Sequence, residues 1–233
     1  MTKLRNMIIA AIAIVALPFS AHSFEGLSIG AVYSMADFDT SGTETVDAGL
    51  GVNKHNSVTK SGSADYGSLF AEYTFAQGTS LGIEYIPASA EIGKANRTQT
   101  APVNGGAGED GSGLLSVKAK ASDHISLYVE PTFMMSDAFG VYVKGGASKV
   151  TITPQVAEPG GQDIIQSTYA AQDVYGTMMG IGAKYYWGNM FVKLEHVTTE
   201  YGEYAFQSTT GDKNTITADI EQTATRVALA YNF

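Results

Sequence analysis

The sequence contains no cysteine. That excludes a disulfide framework, a cysteine-ligated metal centre and a thiol nucleophile. Charged side chains are sparse at 16%, and bases sparser still, with 14 Lys+Arg against 23 Asp+Glu for a net charge of −9. Such a balance lacks the basic stripe that nucleic-acid binding needs. Also missing is any apolar run of the roughly 20 residues that a membrane-spanning helix requires. The longest run, Met7 to Leu17, has eleven residues and lies near the N-terminus. Lys3 and Arg5 precede it and the small residues of Ala21-His22-Ser23 follow it, the layout of a secretory signal peptide over residues 1–23. Cleavage there leaves residues 24–233 as one domain, with 12 bases against 23 acids and a net charge of −11. A mature chain without a spanning helix crosses a membrane only as a closed barrel, because lipid cannot satisfy an open sheet edge.

Glycine (26) and tyrosine (13) are abundant, which favours strands, turns and interfacial aromatics. Mean hydropathy is −0.01, unremarkable for a globular protein, but a barrel wall shows lipid only every second residue. Eight segments alternate in this way. They include Leu27 to Ala36, Ser68 to Phe75, Leu81 to Ile86 and Leu115 to Phe133, in the last of which only Asp123 breaks the pattern. Val141 to Ser148, Met179 to Trp187, Met190 to Glu195 and the terminal stretch Thr223 to Phe233 complete the set. An even number closes a small antiparallel barrel.

The connections sort into two kinds. Ala76 to Ser80, Met135 to Phe139 and Gly188-Asn189 are tight turns, whereas Asp37 to Ala64, Pro87 to Gly113, Thr151 to Gln172 and Thr198 to Thr217 are long, polar and Gly-rich. Short turns at one end and long loops at the other are expected of a membrane barrel. Across Gly188-Asn189, Trp187 should oppose Met190 and Tyr185 oppose Val192, so outward residues meet outward residues. Aromatic girdles are expected from Tyr73, Phe75, Phe133, Tyr185 and Trp187 at the turn end, and from Tyr33, Tyr85 and Tyr175 at the loop end.

The opposite parity places Glu72, Glu84, Lys118, Lys120, His124, Glu130, Lys144, Lys184, Lys193, Glu195 and Arg226 toward the lumen. Isolated charges buried in a core are very costly, so these must pair or hold water. Lys184 is expected opposite Lys193, and Glu72 opposite Glu84 if Phe75 opposes Leu81; such like pairs need neutralising from across the lumen. The network either fills the barrel, which is just wide enough for side chains, or lines a narrow gated pore. Asp37, Asp39, Glu109 and Asp110 lack the spacing of a calcium loop, and Gly180 and Gly182 lie within a strand, not a nucleotide loop. No metal or cofactor is expected.

The last strand carries Val227, Leu229, Tyr231 and Phe233 on one face against Arg226, Ala228, Ala230 and Asn232 on the other, and ends on Phe233. This resembles the C-terminal insertion signal of Gram-negative outer-membrane barrels. With the signal peptide, the eight strands and the loop asymmetry, the mature chain resembles the small barrels of the opacity, OmpX, OmpW and OmpA transmembrane-domain types. The resemblance implies an all-β, eight-stranded antiparallel up-and-down barrel in the bacterial outer membrane, exported through the Sec pathway. Its partners would be outer-membrane lipids, lipopolysaccharide and the barrel-assembly machinery, and it would be a monomer with no nucleic-acid partner. The leading expectation is a non-enzymatic protein whose loops serve surface contact, adhesion or envelope integrity. The alternative is a narrow channel or transporter for small or hydrophobic solutes. A lipid A-modifying enzyme is the remote third, because His196 is followed by Thr198 and the His-x-Ser-Asn pattern of lipid A deacylases is absent. A soluble exported lipocalin-like binder would instead need an apolar lumen.

Overall fold

A computed structural model describes residues 25–47, 53–99, 113–157, 169–207 and 215–233. The expected signal peptide over residues 1–23 lies outside the described residues, as do the tips of the four long loops. The described residues form nine strands: β1 (Gly26–Asp47), β2 (Asn53–Thr74), β3 (Thr79–Ile86), β4 (Ala90–Gln99), β5 (Gly113–Met134), β6 (Phe139–Ala157), β7 (Gln172–Trp187), β8 (Met190–Gln207) and β9 (Thr215–Asn232). All pairings are antiparallel and run between chain neighbours, except that β1 joins β9 and β5 pairs with both β3 and β4. The contact of β3 with β2 on one side and β5 on the other closes the ring. Nine strands therefore make eight staves, because β3 and β4 are two halves of one. Pro87 lies at the break between them, and proline has no N–H to give the ladder.

The outside of the ring is an apolar band. Leu27, Ile29, Leu69, Leu81, Ile83, Leu127, Val143, Ile181, Leu194 and Leu229 are all exposed, a surface that water would not tolerate at this extent. Tyr33, Tyr85 and Tyr175 stand exposed at its loop end, and Tyr73, Phe133, Tyr185, Trp187 and Phe233 at its turn end, with Phe75 half-buried. At the turn end Tyr73 meets Phe75 edge-on with centroids 5.2 Å apart, and Tyr231 meets Phe233 at 5.0 Å. Val227, Leu229, Tyr231 and Phe233 all face outward, and the Phe233 amide donates to the Leu27 carbonyl at 2.9 Å, tying the terminus into the wall.

The structure departs from the sequence expectation in three places. Much of each long loop is strand: β1, β2 and β5 have 22 residues each, about twice the 9–11 that a crossing needs. Beyond the lipid both faces of a strand can be polar, so alternation no longer marks it. Second, Tyr73 opposes Leu81 and Phe70 opposes Glu84, so Glu72 stands opposite Gly82 and not Glu84. The turn is thus tighter than a Phe75–Leu81 pairing supposes, with the Phe75 amide donating to Thr79 O at 2.9 Å. Third, β5 carries a bulge at Asp123, whose φ is 52°, a conformation that Asp tolerates better than most residues. The extra residue flips the parity of everything on its loop side. Lys118 and Lys120 therefore leave the lumen face: Lys120 is exposed, and Lys118 pairs at 3.0 Å with Glu91, itself about half exposed. Ala119 and Ala121 take their place, packed inward. A second bulge between Glu200 and Glu203 does the same for β8 and turns Phe206 inward.

Candidate functional site

The lumen is layered. At the turn end, Phe70, Tyr186 and Phe191 pack with Val32, Ala228 and Ala230. Against them lies, among the described residues, a network of eight ionic side chains from seven staves: Glu72, Glu84, Glu130 and Glu195 with Lys144, Lys184, Lys193 and Arg226, all 0–5% exposed. The charges balance, four against four. Glu72 accepts from Lys193 at 2.5 Å and from Lys184 at 3.1 Å. Glu130 contacts Lys193 at 3.1 Å, Lys144 at 3.4 Å and Lys184. Glu195 pairs with Lys144 at 2.6 Å and with Arg226 Nε at 3.2 Å, and Arg226 reaches on to Glu84. The facing Lys184 and Lys193 of β7 and β8 thus share Glu72 and Glu130, which come from β2 and β5 across the lumen.

Two tyrosines complete this plug. Tyr128 donates to Glu72 at 3.0 Å and Tyr142 to Glu195 at 2.7 Å. Their rings lie flat on the wall over Gly82 and Gly182, their cross-strand neighbours. A methyl group on Gly182 would sit 2.5 Å from the Tyr142 ring, and one on Gly82 would collide with Tyr128. The flattened rings offer π-faces to the ammonium groups, with Lys144 Nζ 4.3 Å from the Tyr128 centroid and Lys184 Nζ 5.3 Å from that of Tyr142. Glycine here is a matter of close approach.

Above the plug the lumen changes character. Phe38, Val150, Ile152, Val174, Phe206 and Ile220 point inward and form an apolar cluster on the loop side. Between it and the plug lies a cavity of about 50 Å³ lined by Phe38, Ile86, Ala88, Ala90, Ala121, Val150, Ile152 and Ile220, with Tyr66, His124, Tyr201 and Gln222 on its floor. A smaller void of about 10 Å³ lies below that floor and touches Glu84 and Arg226. His124 Nε2 is 2.9 Å from the Tyr201 hydroxyl, and Gln222 donates to the Tyr66 hydroxyl. The wall is interrupted beside this cavity. β3 pairs with β2 only up to Tyr85–Leu69, and β4 pairs only with β5, so among the described residues β2 from Asn53 to Ser68 has no ladder partner on that side, although β4 lies close to it.

This ring of antiparallel strands is banded in apolar side chains and filled by paired charges. The chain has the fold of a small outer-membrane β-barrel. No family model and no curated protein matches the sequence. Among solved structures the barrel is similar to the outer membrane protein OprG from Pseudomonas aeruginosa, with 14% identity, a TM-score of 0.56 and coverage of 92% of this chain and all of that one. Neisserial surface protein A also matches, at 14% identity and a TM-score of 0.46 over 88% and 99% of the two chains. So does the outer membrane protease OmpT from Escherichia coli, at 8% identity and 0.47 over 94% and 100%. The barrel belongs in the bacterial outer membrane, where its apolar band meets lipid. A likeness of fold at 14% identity does not assign a chemistry by itself.

Of the eleven side chains expected in the lumen network, eight lie in the plug, His124 lies on the vestibule floor, and Lys118 and Lys120 lie outside. Tyr128 and Tyr142 were not singled out from the sequence; their signal is an inward tyrosine whose cross-strand partner is glycine. The apolar vestibule was missed because its residues fall in stretches whose polarity reads as loop. His196, the residue on which a hydrolase would depend, faces outward, 3.2 Å from Thr225.

Proposed function

We propose that this barrel is a non-catalytic, non-conducting outer-membrane protein that takes small apolar molecules into the vestibule. It would pass them sideways through the wall between β2 and β4 and not down the lumen. The observation that carries this reading is the coincidence of cavity and gap. Ile86, Ala88 and Ala90, which flank the break at Pro87, are themselves cavity walls. An apolar solute gains by leaving water for such a surface, and the balanced plug beneath offers it no path. Of the histidines whose side chains are described, His124 is hydrogen-bonded to the Tyr201 hydroxyl in the lumen, and His196 lies beside the Thr225 hydroxyl on the outer face of the wall. The surface-contact role expected of the loops rests on tips outside the described residues and draws no support from the vestibule.

The absence of native cysteine makes the test clean. Ala88→Cys gives one addressable thiol at the gap, and Asp39→Cys gives one on the exposed outer face of β1. Alkylation with a bulky maleimide should stop octane uptake by cells carrying Ala88→Cys and leave uptake through Asp39→Cys unchanged. Equal uptake through both would remove the lateral route.

A further inference from the structure

The vestibule floor holds a group that its own protein leaves unanswered. His124 follows the Asp123 bulge on its turn side and shares the inward parity of Ser126, Tyr128 and Glu130. Nε2 is engaged by the Tyr201 hydroxyl at 2.9 Å, but Nδ1 is buried with no hydrogen-bond partner among the described residues. A buried polar atom left unpaired is costly, and the residue that carries it, His124, lines both the apolar cavity and the small void beneath it. Resting on the vestibule reading above, we infer that the site takes small straight-chain alcohols, with the hydroxyl on His124 Nδ1 and the alkyl chain against Ile86, Val150, Ile152 and Ile220.

Three considerations select the hydroxyl. The Tyr201 contact leaves Nδ1 a donor in one imidazole tautomer and an acceptor in the other, and a hydroxyl is both donor and acceptor. A carboxylate or ammonium would bring an uncompensated charge beside a plug whose four acids already match four bases. An alkane fills the cavity but leaves Nδ1 unpaired.

The experiment uses the mature protein in lipid nanodiscs, with ¹⁵N in the histidine rings and ¹³C in the isoleucine methyls. Only His55, His124 and His196 remain after the signal is removed. 1-Hexanol, hexane and hexanoate are titrated separately. Hexanol should saturably shift the His124 ring signals and the Ile152 and Ile220 methyls, leaving His196 unmoved, while hexanoate should do neither. In His124→Phe hexanol should bind about tenfold more weakly, equivalent to about 1.4 kcal/mol, with hexane affinity unchanged. His124→Gln, which keeps a polar partner for Tyr201 and the head group, should recover much of the loss. Hexanol affinity unchanged in His124→Phe, or hexanoate binding as well as hexanol, overturns the head-group assignment and leaves apolar uptake standing. If neither hexane nor hexanol moves the Ile152 and Ile220 methyls, both readings fall together.

Discussion

Glu130 is fully buried and touches three ammonium groups, Lys193 at 3.1 Å, Lys144 at 3.4 Å and Lys184. Glu130→Gln keeps the shape and removes the charge, leaving the plug with one net positive charge in a space closed to water. At an effective dielectric of about 20, each contact near 3 Å carries roughly 5 kcal/mol of gross attraction. Relief of repulsion with Glu72 and Glu195 and the cheaper desolvation of an amide offset most of that sum. The measured cost of breaking one partner out of a buried pair, about 3–5 kcal/mol, is the expected loss. Glu130→Gln with Lys184→Met restores the balance, so the double variant should be more stable than the sum of the singles implies, by about 1–3 kcal/mol. Trp187 is the sole tryptophan and stands on the lipid-facing girdle. Its fluorescence during urea unfolding in phospholipid vesicles therefore follows the wall itself. A loss below about 1 kcal/mol for Glu130→Gln, or strict additivity in the double variant, would mean that the plug is hydrated and its charges individually screened.

Wild-type protein should pass no steady current in planar bilayers, and Glu130→Ala combined with Lys193→Ala should admit one. Gly182→Ala places a methyl group 2.5 Å from the Tyr142 ring and 2.7 Å from the Leu194 carbonyl, and should cost about 1–3 kcal/mol in the same unfolding assay; Tyr142→Val in that background should return part of the loss. Lys120→Cys should react with a membrane-impermeant maleimide on intact cells and Lys144→Cys should not, and the reverse result would deny the parity flip at Asp123. Leu229→Arg, on the lipid face, should cost about 2–4 kcal/mol and lower the yield of inserted protein.

The lipid-facing half of this protein was legible residue by residue. Within the band, water on one side and oil on the other force a strict two-residue period, so Leu229, Ile181 and Leu127 announce their side, as do Arg226, Lys184 and Glu130. The facing of Trp187 and Met190 followed from a two-residue turn alone, and the structure has it so. The limit came where that contrast of solvents ends. Past the band nothing in the alternation separates a strand from a loop, and one residue in the left-handed region at Asp123 exchanges the inside for the outside without changing composition. Which acids meet which bases, why Tyr128 and Tyr142 need Gly82 and Gly182 beside them, and that an apolar cup rests on a charged plug were decided only by closure of the ring. Those contacts join residues from different staves, up to 142 positions apart between Glu84 and Arg226, and no local pattern encodes a distance across a lumen.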